Sequence, residues 1–220
     1  MAELLLVRHA QASFGAEDYD RLSPLGHQQA AWLGGHLHAH EPRFDRVLRG
    51  GLRRHRETFV GIARHFDSPP DQEDRRFDEF HYGPLEQAFL RRNGGQPCRT
   101  REDFLDLFPR VLAAWQAEEL AVGESFAAFV ARVESAVDSA VDAAHMAGGR
   151  CLIVTSGGVI GMVLRRVLGL DMRATADMLL NIRNSSLHRL VWEGGRLRLA
   201  QFNACPHLDP ADRAAARTYV

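Results

Sequence analysis

The sequence predicts an α/β fold, a three-layer αβα sandwich in which helices cover both faces of a mostly parallel sheet. Short, continuous apolar runs, typical of strands that are buried on both faces, alternate with amphipathic helical segments. A terminal hairpin supplies at least one antiparallel strand. The chain has 220 residues, of which 45% are hydrophobic, and can bury a large core. We expect residues 1–220 to form a single domain, with a helical insertion at about 83–123.

The N-terminal third contains two strand–helix units. The run ELLLVR at residues 3–8 predicts the first strand, and LSPLGHQQAAWLGGHL predicts a helix. Ser23 is the expected N-cap of that helix and Pro24 its first residue, because serine accepts backbone N–H bonds and proline needs no partner there. FDRVLRGG predicts the second strand, followed by a helix from about residue 52 to 65. DSPPDQED, residues 67–74, is interpreted as a turn-rich linker.

The remaining two thirds continue the alternation. RRFDEF is a short strand candidate, and the helical region that follows is expected to break at RNGGQPCRT and at Pro109. SFAAFVARVESAVDSAVDAAHM predicts a long amphipathic helix with one apolar stripe. CLIVTSGG predicts a buried strand and a glycine-rich turn, then a helix to about Leu168 and a second short helix. SSLHRLVWEGGRLRLAQFN predicts a hairpin that turns at Gly194 and Gly195. The stripe comprises Phe126, Phe129, Val130, Val133, Val137 and Val141.

Composition excludes several classes of function. The net charge is −1, which gives no overall attraction to nucleic acid or to anionic membranes. No apolar run approaches the roughly 18–20 residues of a membrane span, and the N-terminus lacks a signal-peptide pattern. The three cysteines are odd in number and form no CxxC, which favours reduced thiols and a cytoplasmic location. All 27 basic residues are arginine, so guanidinium is the fixed cation available to a site.

Chemically active side chains follow several predicted strands, where ligands gather in such sheets. Arg8 and His9 end the first strand: a guanidinium binds phosphate through two hydrogen bonds, and a neutral imidazole is a nucleophile. They can equally mark where the strand surfaces. RGGLRRHRET places several arginines at a helix start, one of which can be a second phosphate ligand. Glu79 lies between phenylalanines, which favours a raised pKa and a general acid, although an ordinary strand-end carboxylate fits as well.

Other known templates are absent. VTSGG is not the GxSxG of α/β-hydrolases, and SGGVIG lacks the first glycine and the early position of a dinucleotide-binding motif. No GxxxxGK occurs, and the histidines and acids show no compact metal spacing.

Taken in order, these motifs resemble the histidine phosphatase superfamily, also called phosphoglycerate mutase-like proteins. LLLVRHA looks like the family's Arg-His-Gly strand end, with Ala10 in place of glycine, and YDRLSPLGHQQA is similar to the helix start that follows. RVLRGGLRRHRETF resembles the segment of the second arginine, at Arg54, and FDEFHYG that of the acid, at Glu79. CLIVTSGG resembles the strand of the second histidine, where this chain has Ser156. FNACPHL resembles the terminal segment.

The resemblance implies a phosphatase that works in two steps. His9 attacks phosphorus, Arg8 and Arg54 hold the phosphoryl oxygens, and Glu79 protonates the leaving oxygen and later activates water. It implies a small phosphorylated substrate and neither a metal ion nor a cofactor. The net charge and the lack of a long apolar run predict no nucleic-acid or membrane partner, and a homodimer stays open.

Ser156 is the main departure from the family pattern. A serine hydroxyl gives one neutral hydrogen bond where an imidazole gives a charge-assisted one, which predicts an activity reduced by about 10- to 100-fold. Gly157 and Gly158 still offer backbone amides at a helix N-terminus, and His81 or His207 can fill the gap. A helix-capping role alone would also explain the serine. A serine nucleophile is disfavoured, because the motif offers no base.

The sequence is compatible with three functions. The loop after His9 lacks the family's usual asparagine, so Gln11, Ser13 or a backbone amide is the expected phosphate ligand there. Tyr82 matches a substrate-binding tyrosine of phosphoglycerate mutases, whereas Phe80 stands where mutases have arginine. A phosphomonoester hydrolase is the first hypothesis. A phosphoglycerate mutase and a non-catalytic protein that binds phosphorylated ligands are the alternatives.

Overall fold

A six-stranded sheet forms the centre of the protein, with strand order β3-β2-β4-β1-β5-β6 in the computed structural model. The structure describes residues 2–13, 20–41, 43–65, 69–147 and 149–219. β3, β2, β4 and β1 are parallel neighbours, whereas β5 is antiparallel to both β1 and β6. The prediction of a mostly parallel α/β sheet is thus confirmed. The strands are β1 Ala2–Arg8, β2 Arg46–Arg49, β3 Asp71–Glu73, β4 Arg150–Thr155, β5 Leu187–Glu193 and β6 Arg196–Ala204.

Helices cover both faces of the sheet. One face carries α1 and α2, and the other carries α3 to α7. Ser23 caps α1 as predicted, since its Oγ accepts a 3.0 Å hydrogen bond from the Gly26 amide. None of the helices in the described ranges is long and apolar enough to cross a membrane. The helices are α1 Pro24–His40, α2 Arg53–Ala63, α3 Tyr82–Asn93, α4 Arg101–Gln116, α5 Phe126–Ala147, α6 Gly157–Leu168 and α7 Met172–Leu179.

The central strands alternate between two cores, which explains their continuous apolar runs. Leu4 and Leu6 of β1 pack under α5 and its neighbours, and Leu5 and Val7 pack against α1 and α2. Successive side chains of a strand point to opposite faces, so the middle of a strand that is covered on both faces is apolar at every position. The two central strands end level with each other, and polar side chains follow their apolar stretches at this edge.

The region between α2 and α3 differs from the prediction. RRFDEF is not a strand: it contains a 3-10 helix, Arg75–Phe77. The strand β3 lies instead within the predicted linker, of which residues 67 and 68 are outside the described part. β3 is polar because it is the edge strand, and two of its carboxylates pair with Arg49 of β2. A pattern search for apolar alternation misses such a strand.

Pro109 does not interrupt its helix, contrary to the prediction. It lies inside α4, which continues on to Gln116. Proline removes one backbone hydrogen bond, to the carbonyl four residues earlier, and that residue, Leu105, is exposed to water. The surrounding residues Phe108 and Val111 are buried in the core, and their packing outweighs the lost bond. The break predicted at RNGGQPCRT does separate α3 from α4.

Candidate active site

A cavity of about 560 Å³ opens at the carboxyl ends of β1 and β4, as the fold class predicts. Arg8, His9, Arg54, Glu79 and Gly157 all line it. These residues come from distant segments of the chain, and the sheet edge together with the first turns of α2 and α6 brings them to one place. Two residues predicted with less weight, His81 and Tyr82, line the cavity as well.

His9 is held as a neutral imidazole with one defined nucleophilic nitrogen. Its Nδ1 lies 2.8 Å from the carbonyl oxygen of Ala10. A carbonyl can only accept, so Nδ1 carries the proton and Nε2 keeps its lone pair. Burial, followed by the charges of Arg54 and Arg8, lowers the pKa of His9 well below its ordinary value of 6.5. The imidazole is therefore uncharged at neutral pH and can attack phosphorus.

Two guanidinium groups supply positive charge beside His9. Arg8 follows the last apolar residue of β1, and its Nη1 donates to the carbonyl of Ile182. Arg54 lies in the first turn of α2 and donates from Nη1 to Oδ1 of Asp20 at 2.6 Å. The other carboxylate oxygen of Asp20 accepts from the backbone amide of Arg53 at 2.7 Å. One carboxylate thus fixes both the start of α2 and the Arg54 side chain.

Glu79 retains its proton more strongly than an ordinary glutamate. Burial raises its pKa, although hydrogen bonds from the amides of Gly158 and Phe80 and the charge of Arg54 act in the opposite direction. These amides donate to Oε2 at 2.9 Å and to Oε1 at 3.1 Å. A raised pKa and a position in the cavity suit a general acid.

The glycine at position 158 is a steric requirement of this arrangement. A Cβ atom there would lie 2.1 Å from Oε1 of Glu79 and 2.4 Å from the ring of Phe80. The turn that begins α6 therefore approaches the carboxyl group as closely as its backbone allows.

Ser156 is not among the residues that line the cavity. It lies between the last residue of β4 and the first of α6, but its hydroxyl makes no capping bond to the helix. Its Oγ lies instead 2.7 Å from Nε2 of His55, and both residues are fully buried. The structure contradicts a side-chain capping role, and it places beside this serine a base that the motif itself does not contain.

Sequence reasoning missed His55. Its ring centroid lies 5.8 Å from that of His9, with an angle of 41° between the ring planes. Burial, together with the charges of Arg54 and Arg49, lowers its pKa well below 6.5, so this imidazole too is uncharged at neutral pH. The available signal was its position directly after Arg54, in a helix start that faces the strand ends.

Other predicted residues lie elsewhere. The carboxamide oxygen of Gln11 accepts from the N-cap serine of α1 at 2.7 Å, and Ser13 pairs through its backbone. Nε2 of His207 lies 2.8 Å from Oγ of Ser185. None of these three residues lines the cavity, because each is held by a neighbouring segment. The loop residues 14–19 lie outside the described part of the chain.

The side of the cavity away from the arginines is apolar. Tyr82, Phe104 and Phe108 form an aromatic cluster with ring centroids 5.1–5.4 Å apart. The Tyr82 hydroxyl is buried and has no hydrogen-bond partner among the described residues. Arg101 stands at the rim, with its guanidinium 5.2 Å from the centre of the Tyr219 ring. Further apolar lining comes from Leu52, Phe80, Leu105, Leu179 and Leu180.

Metal-ligating side chains do not cluster in the parts of the chain that the structure describes. No group of three or more His, Cys, Asp or Glu residues there is arranged to hold an ion.

Similarity to known proteins agrees with this fold. Comparison with curated protein sequences finds no match. Similar solved structures include phosphoserine phosphatase from Entamoeba histolytica in complex with phosphoserine, at 18% identity and a TM-score of 0.67, covering 94% of this chain and 100% of that one. Phosphoglycerate mutase from Bacillus anthracis has 16% identity and a TM-score of 0.70, with 94% of each chain covered. Mycobacterial glucosyl-3-phosphoglycerate phosphatase has 23% identity and a TM-score of 0.67, covering 93% and 99%.

The family itself is established by sequence. A family model of the histidine phosphatase superfamily (branch 1) matches residues 4–205, which is most of the chain. The matched region contains the ends of β1 and β4 and the start of α2, where the cavity lies. The protein therefore belongs to the histidine phosphatase superfamily, branch 1, and is an enzyme of that superfamily.

Proposed function

We propose that this enzyme hydrolyses phosphate monoesters through a phosphohistidine formed on His9. One observation carries the proposal: an imidazole with an unprotonated Nε2 shares a cavity with two guanidinium groups and a carboxyl group of raised pKa. Nucleophile, phosphate ligands and general acid are the groups that two-step phosphoryl transfer requires.

In the first step, Nε2 of His9 forms a bond to phosphorus as the bond to the ester oxygen breaks. Arg8 and Arg54 bind the phosphoryl oxygens, where negative charge is concentrated in the transition state. Glu79 gives its proton to the leaving oxygen, so the alcohol departs neutral and the carboxylate remains. The hydrogen bonds from Gly158 and Phe80 then stabilise that carboxylate.

In the second step, water attacks the phosphohistidine. The Glu79 carboxylate takes a proton from the water as the new P–O bond forms and the P–N bond breaks. Inorganic phosphate leaves, and His9 and Glu79 return to their starting protonation states. Guanidinium groups supply the positive charge in both steps, so we expect activity to persist in the presence of a chelator such as EDTA.

The substrate class follows from the apolar side of the cavity. Tyr82, Phe104 and Phe108 favour an ester whose alcohol is apolar and of aromatic size. A phosphoglycerate mutase needs cations for a small, acidic substrate. Arg101 stands at the rim, but the aromatic cluster favours hydrolysis of an apolar ester over the mutase alternative. A protein that only binds phosphate has no need of His9 and Glu79.

The test compares two esters of equal chemical reactivity. 2-Phenylethyl phosphate and ethyl phosphate both release primary alcohols, and they differ in the apolar surface that the aromatic cluster would bury. We expect kcat/KM, measured as phosphate release, to be at least about tenfold higher for the phenyl ester, since about 60 Å² of buried apolar area gives that factor. Phe108→Ala should reduce the ratio of the two kcat/KM values, and His9→Ala should abolish the turnover of both esters.

Three outcomes would contradict the proposal. Interconversion of 2- and 3-phosphoglycerate faster than any hydrolysis would make the protein a mutase. Phosphate binding without turnover would make it a binding protein. Turnover with no acid-labile, base-stable phosphate on the protein would exclude phosphohistidine.

A further inference from the structure

Two buried imidazoles, not one, lie at the base of the cavity. His55 comes from α2, its ring lies against that of His9, and its Nε2 lies 2.7 Å from the Ser156 hydroxyl. The three side chains connect the ends of β1 and β4 with the first turn of α2. His55 and Ser156 are fully buried and do not line the cavity, so they lie behind the nucleophile and do not touch a ligand there.

The strand register places Ser156 beside the nucleophile. Arg8 pairs with Thr155 at the ends of β1 and β4, so His9 and Ser156 directly follow the two strands. The His9 amide donates to the Thr155 carbonyl at 2.8 Å. Position 156 is the one at which the family resemblance expects a second histidine. In this chain the imidazole of His55 extends from α2 to the space beside His9. The serine at position 156 is small enough to leave room for it.

The surroundings of His55 are shaped for an imidazole ring. A Cβ atom on Gly50 would lie 2.2 Å from its Nδ1, so the glycine makes room for the ring. Oδ1 of Asp78, the carboxylate facing this nitrogen, is 3.8 Å away, beyond hydrogen-bond distance. Pairing with serine is not in itself a sign of function, since His207 and Ser185 form a similar buried pair. Contact with the nucleophile's ring is what distinguishes His55.

We propose that His55 is the second imidazole of this site, a positioning residue that fixes the His9 ring by packing against it and is itself held by Ser156. The proposal rests on the function proposed above. The bond from Nδ1 of His9 to Ala10 fixes one edge of the nucleophile's ring. Contact with His55 fixes its tilt, and the two together direct Nε2 at phosphorus. Residues 55 and 156 thus lie where the family resemblance expects a second histidine, but they position the nucleophile and do not bind the phosphoryl group.

The test removes the imidazole at position 55 and introduces one at position 156, after β4. His55→Ala, Ser156→His and the double variant His55→Ala/Ser156→His are assayed with p-nitrophenyl phosphate. We expect His55→Ala to lower kcat by about 10- to 100-fold with little change in KM, because the nucleophile is misaligned while the arginines are untouched. Ser156→His alone should also lower kcat, because two imidazoles then compete for one space. The double variant should recover at least about tenfold of the kcat that His55→Ala loses.

His207→Ala is the matched control, because it breaks a similar buried histidine–serine pair away from the cavity. It should lower the melting temperature and leave kcat unchanged. Melting temperatures of all variants separate loss of folding from loss of positioning. Equal kcat values for the wild type and His55→Ala would overturn the inference, as would a double variant no better than His55→Ala. An increase in kcat on Ser156→His alone would also overturn it, because the position would then lack an imidazole.

Failure of the proposed function gives a different pattern. A wild type with neither turnover nor phosphate on His9 would overturn that function and this inference together. An active His9→Ala beside an inactive Ser156→Ala would make Ser156 the nucleophile and His55 its base, and both proposals would be wrong. In every other case with an active wild type, the His55 variants decide the inference by themselves.

Discussion

Burial shifts the pKa values of the two reacting side chains in opposite directions. It disfavours the charged form of any group, so it lowers the pKa of His9 below 6.5 and raises that of Glu79 above 4.5. The same desolvated cavity therefore favours the neutral form of the nucleophile and the protonated form of the acid.

This pair of shifts predicts a pH profile. For ethyl phosphate, kcat/KM should fall at low pH as His9 becomes protonated, at a pH below 6.5, and should fall at high pH as Glu79 loses its proton. Glu79→Gln cannot titrate, so it should remove the alkaline limb and lower the rate by about 10²- to 10⁴-fold. The loss should be much smaller with p-nitrophenyl phosphate, whose leaving group needs no proton. Using one substrate for both proteins cancels the titration of the substrate itself, and an unchanged alkaline limb would exclude Glu79 as the acid.

Single residues of the site were predictable where a motif carries them. Arg8 and His9 end a predicted strand and Arg54 begins a predicted helix, in an order that points to one family. Glu79 was found from its motif, although the strand predicted around it does not form. His55 was not predictable in this way, because its partner Ser156 is 101 residues away and the two meet only after α2 packs beside β4. A histidine in a run of arginines gives no local sign of such a contact.

At the scale of an element, the first turn of α6 is shaped around the Glu79 carboxyl group. We expect Gly158→Ala to lower kcat at least about tenfold, because its Cβ must displace Glu79 or Phe80. Gly35→Ala is the matched control: it lies inside α1 with no atom within 4 Å of the added Cβ. That variant should keep full activity and stabilise the fold by about 0.5–1 kcal/mol in urea unfolding, since alanine favours helix over glycine. Full activity of Gly158→Ala would mean that Glu79 is not held as described.

Secondary-structure elements were predicted well where buried apolar side chains form them. They were predicted poorly where hydrogen bonds and ion pairs to a neighbouring strand form them. β1 and β4 are covered on both faces, and their apolar runs reveal them. β3 is stabilised by its ladder to β2 and by ion pairs with Arg49, so its sequence looks like a linker. Pro109 is tolerated because α4 packs firmly on both sides of it, which local propensity does not reveal.

At the scale of the whole molecule, the two ends of the sheet have different tasks. The carboxyl end carries the cavity, and the amino end carries an ion-pair cluster in which Arg150 and Arg189 each contact both Glu3 and Glu41. The cluster joins β1, β4 and β5 to the residue after α1. It contacts none of the residues that line the cavity, so stability and activity can be altered separately.

Glu41→Gln tests this separation. It removes the charge from contacts of 2.7 Å to Arg150 and 2.5 Å to Arg189, with the carboxylate mostly buried. We expect the free energy of unfolding to fall by about 1–3 kcal/mol and kcat to stay unchanged. Glu193→Gln, in an exposed pair with Arg198 at 3.9 Å, should change stability by less than about 0.5 kcal/mol. Equal losses of unfolding free energy in the two variants would contradict the distinction between the buried cluster and the exposed ion pair.

Phe80 lines the cavity and also packs against a buried tryptophan, whose fluorescence can therefore respond to the cavity. Its ring lies 5.0 Å from that of Trp115, a fully enclosed indole whose Nε1 donates to the carbonyl of Glu124 at 3.0 Å. Indole emission responds to small changes in the polarity and contacts of its surroundings. Trp115 is therefore an internal fluorophore one ring away from the cavity, and with Trp32 and Trp192 replaced by phenylalanine its emission would report filling of the cavity without any label.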